Sequence, residues 1–338
     1  MNTSVRLLSA ALASSVLAAC GSSSASSPLA PPSAPPPSCE EAPAVEETVT
    51  VTNPKGTLEG TLVLPAGCGA RPVALIIAGS GATDRNGDQP GTLSAQPYKL
   101  LADALAQKGV GTLRYDKAGI GKSASAMGAE SDLRFEMYAD DAVLFVKALR
   151  ADARVGAITI AGHSEGSLLG MLAAEKEPVD GYASLAGAGR PIAEVLREQL
   201  AKNITDATLL GQANAILASL EKGQTVSDVP PSLLALFRPS VQPYLISWMK
   251  IDPSVEITKL ATKRILVAQG TTDIQVDVAD AQKLAAARPD AELLLVEGMN
   301  HVLKAADASM ASQKDAYTNP SLPIVPALVD ALAGVASR

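Results

Sequence analysis

Residues 162–166 read G-H-S-E-G and place Ser164 between two glycines. This matches the pattern G-x-S-x-G, in which a sharp turn from a strand into a helix exposes the serine hydroxyl. The pattern alone is weak evidence, because glycine and serine are common and a tight Gly-Ser turn is the alternative. Its flanks favour the catalytic interpretation, since residues 157–161 are typical of a buried strand and residues 167–176 of a helix. Ser164 is therefore the candidate nucleophile.

A serine needs a base, and the chain contains only two histidines. His163 adjoins Ser164 on the turn, so we expect its side chain to point elsewhere. His301 follows the last predicted strand and is the candidate base. An acid must orient the imidazole, and Asp273 follows a predicted strand between nucleophile and base. Asp277 is the competitor, four residues further on, and the favoured triad is Ser164, Asp273 and His301.

The tetrahedral intermediate of such a reaction needs backbone N–H donors. One donor is expected from Glu165, the residue after the nucleophile. The other is expected from the loop after the predicted strand 73–78, which reads G-S-G-A. Ser80 is the favoured donor in this loop and Gly81 is the alternative.

These residues are spaced along a chain whose pattern alternates between strands and helices. Continuous apolar runs indicate buried parallel strands, and helical stripes lie between them. The pattern predicts an α/β fold with a mostly parallel sheet and helices on both faces, preceded by a hairpin. The predicted strands are residues 48–52, 58–64, 73–78, 111–115, 157–161, 182–186, 265–268 and 293–296. The predicted helices are residues 100–108, 133–150, 167–176, 279–287 and 325–335.

Residues 189–262 interrupt this rhythm, because they contain helical patterns but no strand-like run. We interpret them as a helical cap inserted over the sheet, with helices at about 192–200 and 207–220. Phe237, Tyr244 and Trp248 lie in the cap and are candidates to shield the acyl-enzyme. The alternative is a packing insertion without a role in binding.

The N-terminus has the features of an export signal. Residues 1–19 combine one arginine with an apolar stretch too short to span a membrane. The stretch ends L-A-A-C and resembles a bacterial lipobox, which predicts lipid attachment at Cys20; the alternative is an ordinary signal. Residues 20–44 are rich in serine and proline and predict an extended tether. Gly21 is not the aspartate of a familiar inner-membrane signal, so an outer-membrane or surface anchor is favoured.

Lipidation of Cys20 would leave two cysteines in an oxidising compartment, where a disulfide is expected. Antiparallel pairing of the N-terminal hairpin places position 68 opposite about position 41. Cys39 lies close to that point, so the sequence predicts a bridge between Cys39 and Cys68. The alternative is two free thiols.

Composition excludes several classes of function. The net charge is −7 and no basic stripe is visible, so we expect no nucleic-acid partner. Two histidines and three cysteines do not suffice for a typical His-rich catalytic zinc site. Aromatic residues make up only 3% of the chain, which disfavours base-stacking platforms.

Five groups of segments also carry a resemblance to a known family. They are residues 79–81 with 84–85, residues 114–117 with 119–123, residues 162–166, residues 270–273 and residues 298–301. Together they resemble bacterial serine hydrolases of the α/β-hydrolase fold, in the branch of secreted esterases and acyl-peptidase-like enzymes. The familiar His-Gly before the oxyanion loop is Ala78-Gly79 here, which leaves the donor N–H in place. Asp84, Arg85 and Arg114 are interpreted as loop-bracing ion pairs.

The resemblance implies hydrolysis of esters or related acyl compounds without metal or cofactor. The leading hypothesis is a carboxylic ester hydrolase whose partners are a small acyl ester and, through the lipid, a membrane. The sequence does not indicate an oligomeric state. A peptidase or amidase with the same triad is the alternative, although the cap gives no clear signal for a peptide terminus. A non-catalytic surface lipoprotein is a third class, and the intact triad argues against it.

Overall fold

The structure is a computed structural model that describes residues 42–337. These residues form an eight-stranded sheet in the order β1-β2-β4-β3-β5-β6-β7-β8. β1 pairs antiparallel with β2 and β2 with β4, whereas all pairs from β4 to β8 are parallel. The strands are β1 Val45–Asn53, β2 Gly56–Leu64, β3 Arg71–Ile77, β4 Gly111–Tyr115, β5 Val155–His163, β6 Gly181–Leu185, β7 Ile265–Gly270 and β8 Glu292–Val296.

Helices cover both faces of this sheet. α2, α3 and α9 pack on one face, and α1 and α11 pack on the other. The helices are α1 Pro97–Ala106, α2 Phe135–Ala151, α3 Glu165–Lys176, α4 Ile192–Asn203, α5 Ala207–Glu221, α6 Leu234–Phe237, α7 Gln242–Met249, α8 Pro253–Glu256, α9 Val278–Ala287, α10 Met310–Thr318 and α11 Pro326–Ala336. The predicted α/β class with a mostly parallel sheet is confirmed.

β3 shows why the central strands are apolar without interruption. Val73, Leu75 and Ile77 pack into the core under α2 and α3. Ala74 and Ile76 point to the opposite face, into the core under α1 and α11. Because successive side chains of a strand alternate between faces, a strand covered by helices on both sides must be apolar at every position.

The segment between β6 and β7 contains α4 to α8, and the structure places no strand within residues 189–262. A buried glutamine holds this segment together. Gln242 accepts a hydrogen bond from the N–H of Val226 and donates to the carbonyls of Val226 and Phe237, each at 2.7 Å. The segment docks on α2 through Trp248, whose ring stacks on Phe135 with centroids 5.0 Å apart.

The N-terminal hairpin has the predicted register. Val45 lies opposite Leu64, and an isolated antiparallel bridge joins Ala42 to Gly67 in the same register. Cys68 is disulfide-bonded. Its predicted partner Cys39 lies outside the described residues, as do Cys20, the predicted signal and most of the predicted tether. No helix of residues 42–337 has the length and apolar character needed to cross a membrane.

Candidate active site

Ser164 lies on the turn between β5 and α3, at the edge of the sheet where the parallel strands end. Its backbone has φ 54° and ψ −120°, a conformation that side-chain-bearing residues rarely adopt. The flanking glycines are required by close approach. A Cβ on Gly162 would lie 2.1 Å from the carbonyl oxygen of Gly166, and one on Gly166 would lie 2.2 Å from that of Ile77. The predicted strand-turn-helix context is thus present.

The candidate base and acid are in direct contact. His301 Nδ1 lies 2.8 Å from Asp273 Oδ2, and both side chains are buried. The other carboxylate oxygen of Asp273 accepts the N–H groups of Gln275 and Val276. Burial would raise the pKa of Asp273, but the positive charge and hydrogen bond of His301 and the two backbone N–H groups lower it. Asp273 is therefore an ionised acceptor for the Nδ1–H, which leaves Nε2 of His301 to act as a base.

Asp277 has a different task. Its Oδ1 accepts the N–H of Ala279 at 2.9 Å and caps the first turn of α9. The structure therefore pairs His301 with Asp273 and not with the competitor. Ser164 and His301 line one cavity, although within residues 42–337 no hydrogen bond joins them. Such a bond is often long without substrate and tightens in the reacting complex.

His163 points away from Ser164, as expected, and is buried. Its Nε2 lies 2.7 Å from the carbonyl oxygen of His301, and its Nδ1 lies 2.8 Å from the hydroxyl of Tyr98. A carbonyl only accepts, so Nε2 carries the proton and Nδ1 accepts from Tyr98. Burial, together with the charge of His301, lowers the pKa of His163 to about 3. His163 is thus a neutral link between the serine turn and the His301 loop.

The predicted oxyanion donors lie around Ser164. Ser80 and Ser164 line two adjoining cavities, of which one also contacts Gly81 and the other Glu165. The N–H of Gly79 donates to the Tyr98 hydroxyl at 3.0 Å and is not available to substrate. In the described part of the chain, the N–H groups of Ser80 and Gly81 donate to no protein acceptor. Both remain candidates, as the sequence predicts.

A buried ion pair next to these donors was not predicted from the sequence. Lys117 Nζ lies 2.7 Å from Glu165 Oε1 and 2.7 Å from the carbonyl oxygen of Gly79. Both side chains are almost completely buried. The available signal was the position of Lys117 just after a predicted strand, but its partners follow only from the strand order β4-β3-β5.

The predicted loop-bracing ion pairs are only partly correct. Arg85 pairs with Asp116 at 2.8 Å and with Glu59 at 2.9 Å. Arg114 instead donates to the amide oxygen of Asn86. The carboxylate of Asp84 accepts three backbone N–H groups of its own turn, from residues 86–88. Backbone donors satisfy Asp84 locally, so it needs no cation.

Two cavities meet at Ser164. The larger, of about 360 Å³, is bordered by the polar loop 79–93 and by His301 and Tyr317. The smaller, of about 120 Å³, lies between Ser164 and the cap and is lined mainly by apolar side chains, among them Trp248. Phe237 and Tyr244 do not line it, contrary to our expectation. Phe237 is buried within the cap, and Tyr244 packs between the cap and α2, beside the rings of Phe135 and Tyr138.

Comparisons with known proteins find a matching family and a similar esterase. A family model described as serine aminopeptidase, S33, matches residues 92–305, which is more than half of the chain. Esterase EstD of Thermotoga maritima is 28% identical over 264 residues, covering 76% of this chain. The match covers 60% of that relative, so this chain spans less than two thirds of the relative's length.

Solved structures are similar in fold. The α/β hydrolase GrgF of a Penicillium species has 19% identity and a TM-score of 0.51, covering 76% of this chain and 91% of that one. The esterase Pf2001 of Pyrococcus furiosus has 13% identity and a TM-score of 0.54, covering 86% and 91%. The esterase domain of a Rhodothermus marinus protein has 18% identity and a TM-score of 0.52, covering 87% and 99%. The predicted α/β-hydrolase fold is confirmed.

Proposed function

This chain belongs to the hydrolase family described as serine aminopeptidase, S33, and on that premise we propose that it hydrolyses carboxylic esters. The observation that carries the proposal is the buried pair of His301 and Asp273, 2.8 Å apart, in one cavity with Ser164 on a strained turn. A nucleophile, a base and an orienting acid are the three groups that acyl transfer through serine requires.

In the proposed reaction, Ser164 Oγ attacks the acyl carbon and His301 Nε2 takes its proton. The oxyanion accepts the N–H of Glu165 and that of Ser80 or Gly81. Collapse of the intermediate breaks the ester bond, and the leaving alcohol takes the proton from His301. A water molecule then repeats the two steps and releases the acid. Asp273 stabilises the imidazolium in both halves.

The two cavities suggest how the substrate lies. The cavity beneath the cap is lined mainly by apolar side chains, so the acyl chain fits there. The larger cavity contains His301, which must protonate the leaving alcohol, and its lining of Thr83, Gln89 and Tyr317 suits a polar group. The ester carbonyl would thus lie at Ser164, with the acyl part beneath the cap and the alcohol part toward solvent.

An aminopeptidase would need a carboxylate to bind the ammonium of a peptide terminus. Among the described residues that line the two cavities, Glu165 is the only carboxylate, and it is paired with Lys117. The name of the Thermotoga maritima relative, esterase EstD, also favours ester hydrolysis. We therefore prefer the esterase over the peptidase hypothesis.

The test compares p-nitrophenyl esters with aminoacyl p-nitroanilides under the same conditions. The proposal expects turnover of the esters and little or none of the anilides, and it expects a fluorophosphonate adduct at Ser164 by peptide mapping. Faster cleavage of anilides would favour the peptidase. An adduct on another serine would remove Ser164 from the mechanism.

We also propose that the protein is exported and held on a membrane through a lipid on Cys20. The support is the L-A-A-C end of the apolar stretch and the serine- and proline-rich segment after it. Metabolic palmitate labelling should tag the wild type and disappear in Cys20→Ser, whereas Cys39→Ser serves as the matched control and should keep the label. An unlabelled, freely secreted wild type would contradict the anchor.

A further inference from the structure

Lys117 is a buried cation that the proposed reaction does not use. It follows β4, and its side chain is only 2% exposed. Strand order explains its neighbours: β3 lies between β4 and β5, and the ends of these three strands carry Lys117, Gly79 and Glu165. Its ammonium also lies 5.0 Å from the centroid of the Tyr138 ring. Burying a charged pair is costly and stabilises a fold little compared with apolar packing, so such a pair next to a nucleophile calls for a role.

The first contact of Lys117 fixes a peptide group. The carbonyl of Gly79 and the N–H of Ser80 belong to the same planar peptide, so an ammonium 2.7 Å from that carbonyl oxygen sets the direction of the Ser80 N–H. The other side of Gly79 is held by its N–H bond to Tyr98. A hydrogen bond at the carbonyl also polarises the amide and makes its N–H a stronger donor.

The second contact neutralises a charge. Glu165 carries the backbone N–H that we expect to face the oxyanion, and its own carboxylate is buried beside the same cavity. An unpaired carboxylate there would repel the negative charge that develops on the substrate oxygen, because few waters screen it. Lys117 removes that penalty by pairing with Glu165 Oε1 at 2.7 Å.

We propose that Lys117 is a positioning residue for the oxyanion site: it orients the Ser80 N–H through the Gly79 carbonyl and neutralises the carboxylate of Glu165 beside the other donor. The proposal rests on the proposed function. It predicts that Lys117 acts on the transition state and not on the binding of the ester, because the oxyanion exists only during reaction.

The experiment measures Lys117→Met, Glu165→Gln and the double variant. Lys117→Met should lower kcat by about 100-fold, as loss of one oxyanion donor does, with KM changed by less than about threefold. Glu165→Gln keeps the Gly79 contact and should stay within about tenfold of the wild type. The double variant should be faster than Lys117→Met, because it carries no unpaired buried carboxylate.

A second readout separates positioning from stability. Ser164 Oγ adds to the carbonyl carbon of a trifluoromethyl ketone, and the carbonyl oxygen of the resulting hemiketal carries the negative charge as an alkoxide. The affinity of this inhibitor should fall in Lys117→Met by the same factor as kcat/KM. Arg71→Met is the matched control, since Arg71 is another buried cation but lies at the start of β3, away from the site, with a side-chain bond to the carbonyl of Gly69. It should lower the melting temperature while kcat stays within about threefold.

Three results decide the matter. A Lys117→Met enzyme with lowered melting temperature but unchanged kcat and inhibitor affinity would overturn the proposal. Should Lys117→Met not fold, the double variant is compared with Glu165→Gln, and equal rates of these two would overturn it as well. A wild type whose Ser164 resists fluorophosphonate would instead contradict the proposed function, which the ester assay reports separately.

Discussion

The edge of the sheet and the helical cap border the same cleft but are held by different interactions. At the edge, the backbone of Gly79 and the ring of His301 are fixed by short polar contacts from Tyr98, Lys117 and Asp273. In the cap, the interior is mainly apolar, and Trp248 joins it to the body by stacking on a ring of α2. Polar contacts are directional, whereas apolar packing constrains mainly volume.

This difference separates two demands on an enzyme. Groups that react must lie within a fraction of an ångström of their productive positions, which strand ends with several hydrogen bonds can provide. A surface that accepts an acyl chain needs the right shape and tolerates changes in volume. We therefore expect substitutions at the edge to change rate and substitutions in the cap to change selectivity.

The largest effect should come from Ser164→Ala, which removes the nucleophile from the edge. We expect kcat for p-nitrophenyl butyrate to fall by about 10⁶-fold, with the fold and melting temperature preserved. Ser131→Ala, an exposed serine of a short 3₁₀ helix, is the control and should keep full activity. Retained activity in Ser164→Ala would place the reaction elsewhere.

Next in size is Asp273→Asn. An amide cannot hold the required tautomer of His301, so kcat should fall by about 10⁴-fold at neutral pH. Asp277→Ala is the matched control, because it removes a helix cap worth about 1 kcal/mol and should lower only the free energy of unfolding. Equal losses of kcat in both variants would contradict the proposed role of the hydrogen bond between Asp273 and His301.

The cap is tested with Trp248→Ala and Phe237→Ala. Only Trp248 lines the apolar cavity, so its loss should change the ratio of kcat/KM between acetate and octanoate esters by about tenfold or more. Phe237 is fully buried inside the cap and should cost about 3–5 kcal/mol of stability while leaving the ratio unchanged. If kcat/KM depends on acyl chain length in the same way in the wild type and in Trp248→Ala, the cap does not determine selectivity.

The smallest expected effect is a change in stability with pH at the contact between α3 of the body and α8 of the cap. Glu175 on α3 lies beside Glu256 on α8. Burial raises the pKa of Glu175 to about 7, with a further contribution from the hydrogen bond and charge of Glu256. The positive charges of Lys259 and Lys176 oppose this shift. The folded protein therefore binds more protons than the unfolded chain, and stability should fall as pH rises from about 4.5 to about 7.

Glu175→Gln should flatten this dependence and raise stability at pH 8 by about 1 kcal/mol, a value reduced for partial exposure to solvent. Chemical unfolding at pH 5 and pH 8 measures it. Glu292→Gln, at an exposed position of the edge strand, is the control and should leave the dependence unchanged. If the free energy of unfolding of Glu175→Gln still falls between pH 5 and pH 8, other titratable groups cause the pH dependence.

The sheet and the cap also differ in how much of their structure the sequence predicts. The sequence pattern predicts every strand of the described sheet to within a few residues. Apolar runs indicate the central strands because these are covered on both faces, whereas β1 and β2 are predicted as a hairpin. The order of Ser164, Asp273 and His301 identifies the candidates, but only the structure separates Asp273 from Asp277. The contacts of Lys117 join segments 38 and 48 residues away and depend on strand order.

In the cap, the sequence predicts α4 and α5 but neither the short helices α6 to α8 nor the faces that the cap helices present. α4 and α5 begin where their patterns begin. Phe237 and Tyr244 resemble Trp248 in type, yet Phe237 lies in the interior of the cap, where its carbonyl accepts from Gln242, and Tyr244 packs against rings of α2. Helical periodicity indicates that one face is apolar, whereas the packing partner of that face is decided by tertiary contacts.

The buried, neutral state of His163 makes the two histidines of this protein easy to distinguish by spectroscopy. The chain contains two imidazoles, and one of them has both ring nitrogens engaged and a pKa of about 3. His163 should therefore stay neutral between about pH 5 and pH 8, which separates its ring from the other imidazole, that of His301. Nuclear magnetic resonance could follow the candidate base through acylation and deacylation in the unlabelled wild-type protein, without mutation to assign the signal.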